Sequence, residues 1–268
     1  MTTLAGGREA GYLEGIASAA AFNQPNDLAF DASGNLLVAD QKNHAIRSIS
    51  PDGTVRTLAG GESGYGEGQG KAAKFDTPQG IAVDTAGNAY VADTWNQRIR
   101  KIRPDGLVST LAGNGASGYQ DGAGVAAKFN HPQGVAVDGA GNVYVADSWN
   151  QRIRKISPGG LVSTLAGTGE SGFLDGREAR FNGPVGLAVS KEGIVYVGDT
   201  WNHRVRKITP DGRVSTLAGN GSYGFKDGKA EAAWFKSADK LAIDARGDLY
   251  VSDPLNQRIR KVSIGSTP

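Results

Sequence analysis

The sequence predicts an all-β fold, a five-bladed β-propeller of four-stranded antiparallel blades. A first observation is the repeat itself: Thr-Leu-Ala-Gly recurs at 3–6, 57–60, 110–113, 164–167 and 216–219. A second is that short apolar runs and turn residues return in the same order between these marks. Repeats spaced by about 53 residues, with turn residues at fixed offsets and no helical period between them, are typical of propeller blades.

The second repeat shows how one blade is built. Turn residues, among them Asn88 and Gly106, separate four short runs that have the composition of strands. The four predicted strands are Gly80–Asp84, Ala89–Asp93, Arg98–Ile102 and Leu107–Leu111. By the same pattern, the first strands of the five blades are expected near Asp27–Asp31, Gly80–Asp84, Gly134–Asp138, Gly186–Ser190 and Lys240–Asp244.

The two ends of the sequence complement each other. Thr2–Ala5 matches a fourth strand that lacks the preceding three, and Arg258–Val262 matches a third strand that lacks a fourth. The N-terminal strand is therefore expected to complete the last blade and to protect its open edge. This predicts a single domain over residues 1–268.

Composition limits the classes of partner. The formal net charge is +2 over 268 residues and there are no cysteines, so a polyanionic partner and disulfides are not expected. No apolar run approaches the roughly 20 residues that span a bilayer. The chain starts inside a repeat with no signal-like segment, so we expect a soluble protein without membrane contact, and its compartment stays open.

The central repeats resemble the signature of the NHL-repeat β-propeller family. The segments that carry this resemblance are Pro132–Asp138, Val143–Asp147 and Asn150–Ile156, and the match extends over essentially the whole chain. The family commonly closes with six blades, so five repeats imply a true five-bladed ring or a six-bladed ring that lost a unit. The resemblance implies several functions: protein-binding platforms, single-stranded RNA readers, sensor domains of receptor kinases, and metal-dependent lyases or lactonase-like hydrolases.

The loop after each second strand lies, in a propeller, on the same face as the long loops between blades. We define this as the top face and predict a ligand-binding surface there. Its candidate residues are Trp95, Asn96, Trp149, Asn150, Trp201, Asn202, Lys42, Tyr65 and Tyr119. Leu255 is the equivalent residue of the last repeat. The indoles are expected either to cover blade junctions or to form an exposed platform for peptide, glycan or bases.

The long loops repeat an aromatic residue followed two positions later by an acid. The pairs are Tyr12 and Glu14, Tyr65 and Glu67, Tyr119 and Asp121, Phe173 and Asp175, and Phe225 and Asp227. We interpret them as structural, the aromatic residue holding the loop and the acid accepting backbone amides. A calcium site in each loop is the weaker alternative, because one acid falls short of the oxygen ligands that calcium takes.

An Asp-x-x-Asn-x-Arg pattern predicts an ion pair or network within four of the blades. The pattern runs from Asp93 to Arg98, Asp147 to Arg152, Asp199 to Arg204 and Asp253 to Arg258. Basic pairs follow on the third strands at Arg100/Lys101, Arg154/Lys155, Arg206/Lys207 and Arg260/Lys261. If these residues face solvent together, they form a ring of positive charge with modest affinity for nucleic acid.

Catalytic residues are not predicted. The three histidines do not share one repeat position, so no zinc trio is expected. Asn26, Asp27, Asp239 and Lys240 break the apolar pattern where first strands begin. They are candidates for a polar notch at the channel mouth, which could hold a divalent ion on the axis.

The sequence therefore predicts a non-catalytic NHL-type propeller, a rigid scaffold that binds a protein, peptide or small ligand on its top face. It is expected to be a monomer without a cofactor. Three alternatives stay open. The first is a metal-dependent lyase or lactonase-like hydrolase with its site at the channel mouth, and the second is single-stranded RNA binding. The third is a designed or symmetrised scaffold without a native ligand, suggested by the near-identity of Trp95–Ile102 and Trp149–Ile156.

Overall fold

The computed structural model describes residues 2–264 and is all-β. Its strands form five antiparallel sheets, which are the blades of a β-propeller. The predicted fold class is confirmed. Helical structure in the described residues consists of three-residue 3₁₀ turns at Ala17–Ala19, Gln41–Asn43, Gly70–Ala72, Thr94–Asn96, Gly124–Ala126, Ser148–Asn150, Thr200–Asn202, Ala230–Ala232 and Pro254–Asn256.

The first compact unit is Met1–Gln133 and contains two complete sheets. The strands of the first sheet are β1 (Gly15–Ile16), β2 (Pro25–Phe30), β3 (Leu36–Asp40), β4 (Ala45–Ile49) and β5 (Thr54–Gly60). Those of the second are β6 (Gly68–Gln69), β7 (Pro78–Val83), β8 (Ala89–Asp93), β9 (Arg98–Ile102) and β10 (Leu107–Ala112), and β11 (Gly122–Ala123) follows. Four strands in each sheet run up and down from the first to the fourth. A two-residue strand, β1 or β6, pairs outside the fourth strand.

The second compact unit is Gly134–Pro268. The third sheet includes β12 (Pro132–Val137), β13 (Val143–Asp147), β14 (Arg152–Ile156) and β15 (Leu161–Ala166). The fourth sheet is formed by β16 (Pro184–Val189), β17 (Val195–Asp199), β18 (Arg204–Ile208) and β19 (Val214–Ala218). The fifth is formed by β20 (Leu241–Ile243), β21 (Leu249–Asp253) and β22 (Arg258–Val262). The single domain predicted over residues 1–268 stays a prediction.

The first strands of blades one to four begin earlier than the sequence pattern predicted. Each starts at a proline, namely Pro25, Pro78, Pro132 or Pro184, because the first position of a strand tolerates a residue without an N–H. In the fifth repeat Ala238 replaces this proline, and the first strand begins only at Leu241.

Burial between neighbouring blades explains why the second strands are continuously apolar. In the first unit Ala39 and Ile46 of one blade pack against Ile81 and Val91 of the next. All five residues of β8 are buried, because both faces of a middle blade are covered. In the second unit the inner strands approach so closely that a Cβ on Gly186 would overlap the carbonyl oxygen of Asp239.

The predicted completion of the last blade by the N-terminal strand is not confirmed. The fifth sheet has three strands, and Thr2–Ala5 lies outside any strand in the described structure. This segment lies on the first unit, where Gly6 N donates to Ala17 O over 3.0 Å. Ala5 packs against the buried cluster that contains Val38.

Candidate functional site

The top-face turns have a common backbone shape. In the second blade β8 ends at Asp93, the 3₁₀ turn Thr94–Asn96 follows, and Gln97 adopts the left-handed conformation with φ +54°. Gln97 N donates to Thr94 O over 3.2 Å, which closes the turn. The middle residue of the turn, Trp95, is exposed.

A buried network of Asp, Asn and Arg holds each turn in place. Asp93 Oδ1 accepts the backbone N–H of Asp76 over 2.8 Å. Its Oδ2 accepts Asn96 Nδ2 over 2.9 Å and Arg100 Nη1 over 2.8 Å. Burial raises the pKa of Asp93 to about 6, and Arg100 and the hydrogen-bond donors oppose that rise. The pairs Asp40 with Arg47 and Asp199 with Arg206 repeat this geometry.

The predicted ion pair exists in the four blades that carry the pattern, but its arginine was wrongly assigned. Asp93 pairs with Arg100 and not with Arg98. Arg98 instead stacks on the Tyr65 ring at 3.9 Å and donates to the carbonyl oxygens of Asn96 and Asn114. The two arginines stand two residues apart on one face of β9, so the pattern alone could not decide between them.

The prediction of a solvent-facing ring of positive charge is wrong for its four arginines. Arg100, Arg154 and Arg206 are completely buried, and Arg260 is nearly so. Their guanidinium groups neutralise buried carboxylates inside the blades, so on the third strands only the lysines of the predicted ring contribute charge at the surface.

The three turn indoles keep most of their surface in solvent. Trp95, Trp149 and Trp201 are 56%, 59% and 70% exposed. Trp95 contacts the His131 ring edge to face at 4.8 Å between centroids. Trp201 lies against Gly183, where a Cβ would overlap the indole. Trp95 therefore packs by one edge on the inter-blade loop that follows its blade, and Trp201 on the loop that precedes its blade; each presents the remainder outward.

The asparagines next to the indoles are turned inward. Asn96 Nδ2 donates to Gly64 O over 2.7 Å as well as to Asp93. Asn202 Nδ2 donates in the same way to Gly172 O over 2.7 Å and to Asp199, and Asn150 donates to Asp147. These amides fasten the turn to the inter-blade loop. In the first blade Lys42 occupies the indole position and is exposed.

The aromatic and acidic residues of the long loops have structural contacts. Glu14 Oε1 accepts the N–H of Thr57 over 3.0 Å, and the Tyr12 hydroxyl lies 2.9 Å from the Thr57 hydroxyl. Hydrogen bonds from Lys71 and from Thr57 lower the pKa of Glu14 to about 2. These contacts support the structural interpretation of the loop pattern and explain why β1 pairs with β5.

The loop tyrosines proposed for the ligand surface are half-exposed. The Tyr65 hydroxyl lies 3.2 Å from the Thr110 hydroxyl and donates to Glu67. The Tyr119 hydroxyl lies 3.5 Å from Asp121. Their rings are 47% and 45% exposed, so each offers apolar surface beside the turns.

The channel-mouth candidates lie in different compact units. In the first unit Asn26 is exposed, and Asp27 Oδ2 accepts the N–H of Ile81 over 3.2 Å. In the second, Asp239 N donates to Ser252 O, and Lys240 N donates to Ser252 Oγ over 2.8 Å. Among residues 2–264 no group of three or more His, Cys, Asp or Glu side chains is placed to hold a metal ion. The shared notch stays a prediction.

The NHL repeat family matches residues 22–47, 75–102, 129–156 and 181–208. The chain belongs to the NHL-repeat family. Each matched segment runs from the loop before a first strand into the third strand, and so includes one buried Asp and Arg pair. No helix in the described residues is long and apolar enough to cross a bilayer.

Two relatives and one solved structure place this NHL chain among known proteins. It is 32% identical to SUPPRESSOR OF QUENCHING 1, chloroplastic, of Arabidopsis thaliana over 278 residues, covering 96% of this chain and 26% of that protein. It is also 32% identical to NHL repeat-containing protein 2 of Homo sapiens over 224 residues, covering 69% of this chain and 31% of that protein. The chain thus spans less than a third of the length of these two relatives.

The solved structure is that of a nidogen/laminin complex, with a TM-score of 0.65 and 19% identity. The match covers 90% of this chain and 76% of that one. At this identity the likeness shows the fold alone.

Proposed function

We propose that this NHL-repeat chain is a non-catalytic binding scaffold that recognises a protein or peptide segment through the indole-bearing top-face turns. One observation carries the proposal. A tryptophan occupies the middle of the same turn in three successive repeats, and it stays more than half exposed above a fully buried Asp and Arg network.

The fold itself does not require an indole at this position. Lys42 and Leu255 occupy the same place in the first and last repeats, and both turns keep the left-handed residue that closes them. Three indoles therefore stand where a lysine suffices for folding. Exposed aromatic side chains on a rigid support are typical of residues that dominate binding energy, because little conformational entropy is lost when they are covered.

The surroundings favour a peptide or protein over nucleic acid. Arg100, Arg154, Arg206 and Arg260 are buried, and the formal net charge is only +2. Arg98, which is half-buried, stacks on Tyr65 and donates to two carbonyl oxygens. Tyr65 and Tyr119 add half-exposed rings on the neighbouring loops. The surface offered is thus aromatic with few free cations, whereas binding to a phosphate backbone depends on several basic contacts.

The proposal is tested by selecting ligands from a phage-displayed library of random dodecapeptides. Enriched peptides are then synthesised and titrated against Trp95→Ser, Trp149→Ser and Trp201→Ser. A central indole is expected to contribute about 2 kcal/mol or more, equivalent to a roughly 30-fold weaker affinity in at least one variant. Leu161→Ser is the matched control, because Leu161 is 56% exposed and begins β15 at the opposite end of a blade.

Three results would contradict the proposal. The first is peptides that bind all three serine variants as tightly as the parent protein, with thermal unfolding unchanged. The second is binding of single-stranded poly-uridine RNA that weakens steeply with salt, which would favour the RNA alternative. The third is steady hydrolysis of a sugar lactone by the purified chain, which would make it an enzyme.

A further inference from the structure

Within the described residues, the last strand of the fifth sheet has an open outer edge. Among residues 2–264, β22 pairs with β21 alone. Ile259 of β22 is 72% exposed, whereas Ile153 and Val205, at the same place in the third and fourth blades, are completely buried. An open strand edge of this kind is a template for the addition of another strand.

The fourth blade shows what covers this edge elsewhere. There β19 pairs with β18, with Thr216 opposite Arg206. On its other side Val214 exchanges two backbone hydrogen bonds with Gly176, of 2.9 and 3.0 Å. Asp175 accepts the backbone N–H of Thr216 over 3.1 Å and also contacts Arg206. The fourth strand of this blade is thus held by three contacts: the edge of β18, the backbone of Gly176 and the carboxylate of Asp175.

The fifth blade has all three of these groups in place. Asp227 Oδ1 accepts Arg260 Nη2 over 2.7 Å, as Asp175 does with Arg206. Its side chain is 74% exposed, against 40% for Asp175. Gly228 corresponds to Gly176, and both have a left-handed φ, of +141° and +106°. A cavity of about 260 Å³ adjoins the edge, and its apolar lining includes Ala218, Ala233, Phe235 and Val262.

A strand that fits these groups is present in this sequence. The fourth strands of blades two to four share Val-Ser-Thr-Leu-Ala-Gly, at 108–113, 162–167 and 214–219. The first six residues, Met-Thr-Thr-Leu-Ala-Gly, follow the same pattern with an apolar residue in place of valine. Thr2, Thr3 and Leu4 are exposed and lie outside any strand.

We propose that the outer edge of β22 binds the segment Thr2–Gly6 of a second copy of this chain as its fourth strand. By the register of β18 and β19, Thr3 lies opposite Arg260 and Ala5 opposite Ile259. The Thr3 amide then donates to Asp227, as Thr216 does to Asp175. One copy contributes its Thr2–Gly6 segment and the other its β22 edge, so the contact is head-to-tail. Further copies can add in the same way unless the assembly closes into a ring. This inference does not depend on the turn indoles.

The test uses two variants that each disable one half of the contact. Thr3→Pro removes the donated N–H, and Asp227→Ala removes its acceptor. Wild-type mass by sedimentation velocity is expected to rise with concentration. Each variant alone should raise the dissociation constant at least about tenfold, as expected for a lost hydrogen bond to a charged group. Thr3→Ser and Glu231→Ala are the matched controls, the latter an exposed acid of the same loop, and both should behave as the wild type.

Mixing the two variants gives the sharpest result. The Asp227→Ala copy keeps its Thr2–Gly6 segment and the Thr3→Pro copy keeps its β22 edge, so a one-to-one heterodimer should form and grow no further. A second measurement needs no variant: excess synthetic Leu-Val-Ser-Thr-Leu-Ala-Gly should dissociate wild-type assemblies. A wild type that stays monomeric at all concentrations overturns the proposal, as do assemblies that persist in excess peptide.

Discussion

Replacing Asp93 by asparagine tests how the top-face turns are held. The side chain keeps its shape and loses its charge, which leaves the guanidinium of the fully buried Arg100 without its counter-ion. Removing one partner of a buried ion pair costs about 3–5 kcal/mol. Arg98→Ala should cost only about 1 kcal/mol, because Arg98 is partly exposed and loses a stack on Tyr65 and two bonds to carbonyl oxygens.

The measurement is urea unfolding at pH 7.5, where the Asp93 carboxylate is ionised because its pKa is about 6. Double-mutant cycles then separate the two candidate partners. Asp93→Asn with Arg100→Met should show a coupling of about 2 kcal/mol or more, and Asp93→Asn with Arg98→Ala should be additive within about 0.5 kcal/mol. A larger coupling to Arg98 than to Arg100 would refute the assignment, and so would an Asp93→Asn variant as stable as the parent protein.

Two further predictions concern a close backbone approach and a titrating loop acid. Gly186→Ala should lower the free energy of unfolding by about 1–3 kcal/mol or abolish folding, because its Cβ would overlap a carbonyl oxygen of the neighbouring inner strand. Gly139→Ala, where a Cβ meets nothing within 4 Å, should be neutral; equal effects in urea unfolding would contradict this reasoning. The pKa of Glu14 is lowered to about 2 by Lys71 and Thr57, from 4.5, so its stabilisation is present above pH 4.5 and is lost as pH falls toward 2. Glu14→Gln should therefore be less stable than the wild type at pH 7, by under about 1 kcal/mol because the side chain is largely exposed, and equally stable near pH 2; a difference independent of pH would contradict the assignment.

Much of the site geometry could not be predicted from the sequence. The repeated Asp, Asn and Arg spacing predicted an ion pair correctly, but side chains at Arg98 and Arg100 share one strand face. Packing against the inter-blade loop buries Arg100 and leaves Arg98 at the surface, and no local sequence pattern distinguishes the two. Exposure of the indoles was undecided for the same reason. It depends on His131 and Gly183, which are far along the chain from the indoles that rest on them.

The short outer strands were also not predicted. Gly15–Ile16 and Gly68–Gln69 have none of the alternation that marks a strand. They pair because Glu14 and Glu67 accept amides of the adjacent fourth strand, a contact across more than 40 residues. The spacing of the aromatic residue and the acid was the only signal in the sequence. It indicated that the loop is fixed in place, but it did not indicate that the adjacent fourth strand fixes it.

The sequence by itself determined the blades. Strand periodicity, turn residues at fixed offsets and the five-fold repeat are local features, and each blade needs only its own residues to form its hairpins. Only the tertiary structure decided which arginine neutralises Asp93 and that the turn indoles stay in solvent. It also decided that β22 has an open outer edge within residues 2–264. Those outcomes depend on burial and on hydrogen bonds between distant segments, which exist only once the blades have packed.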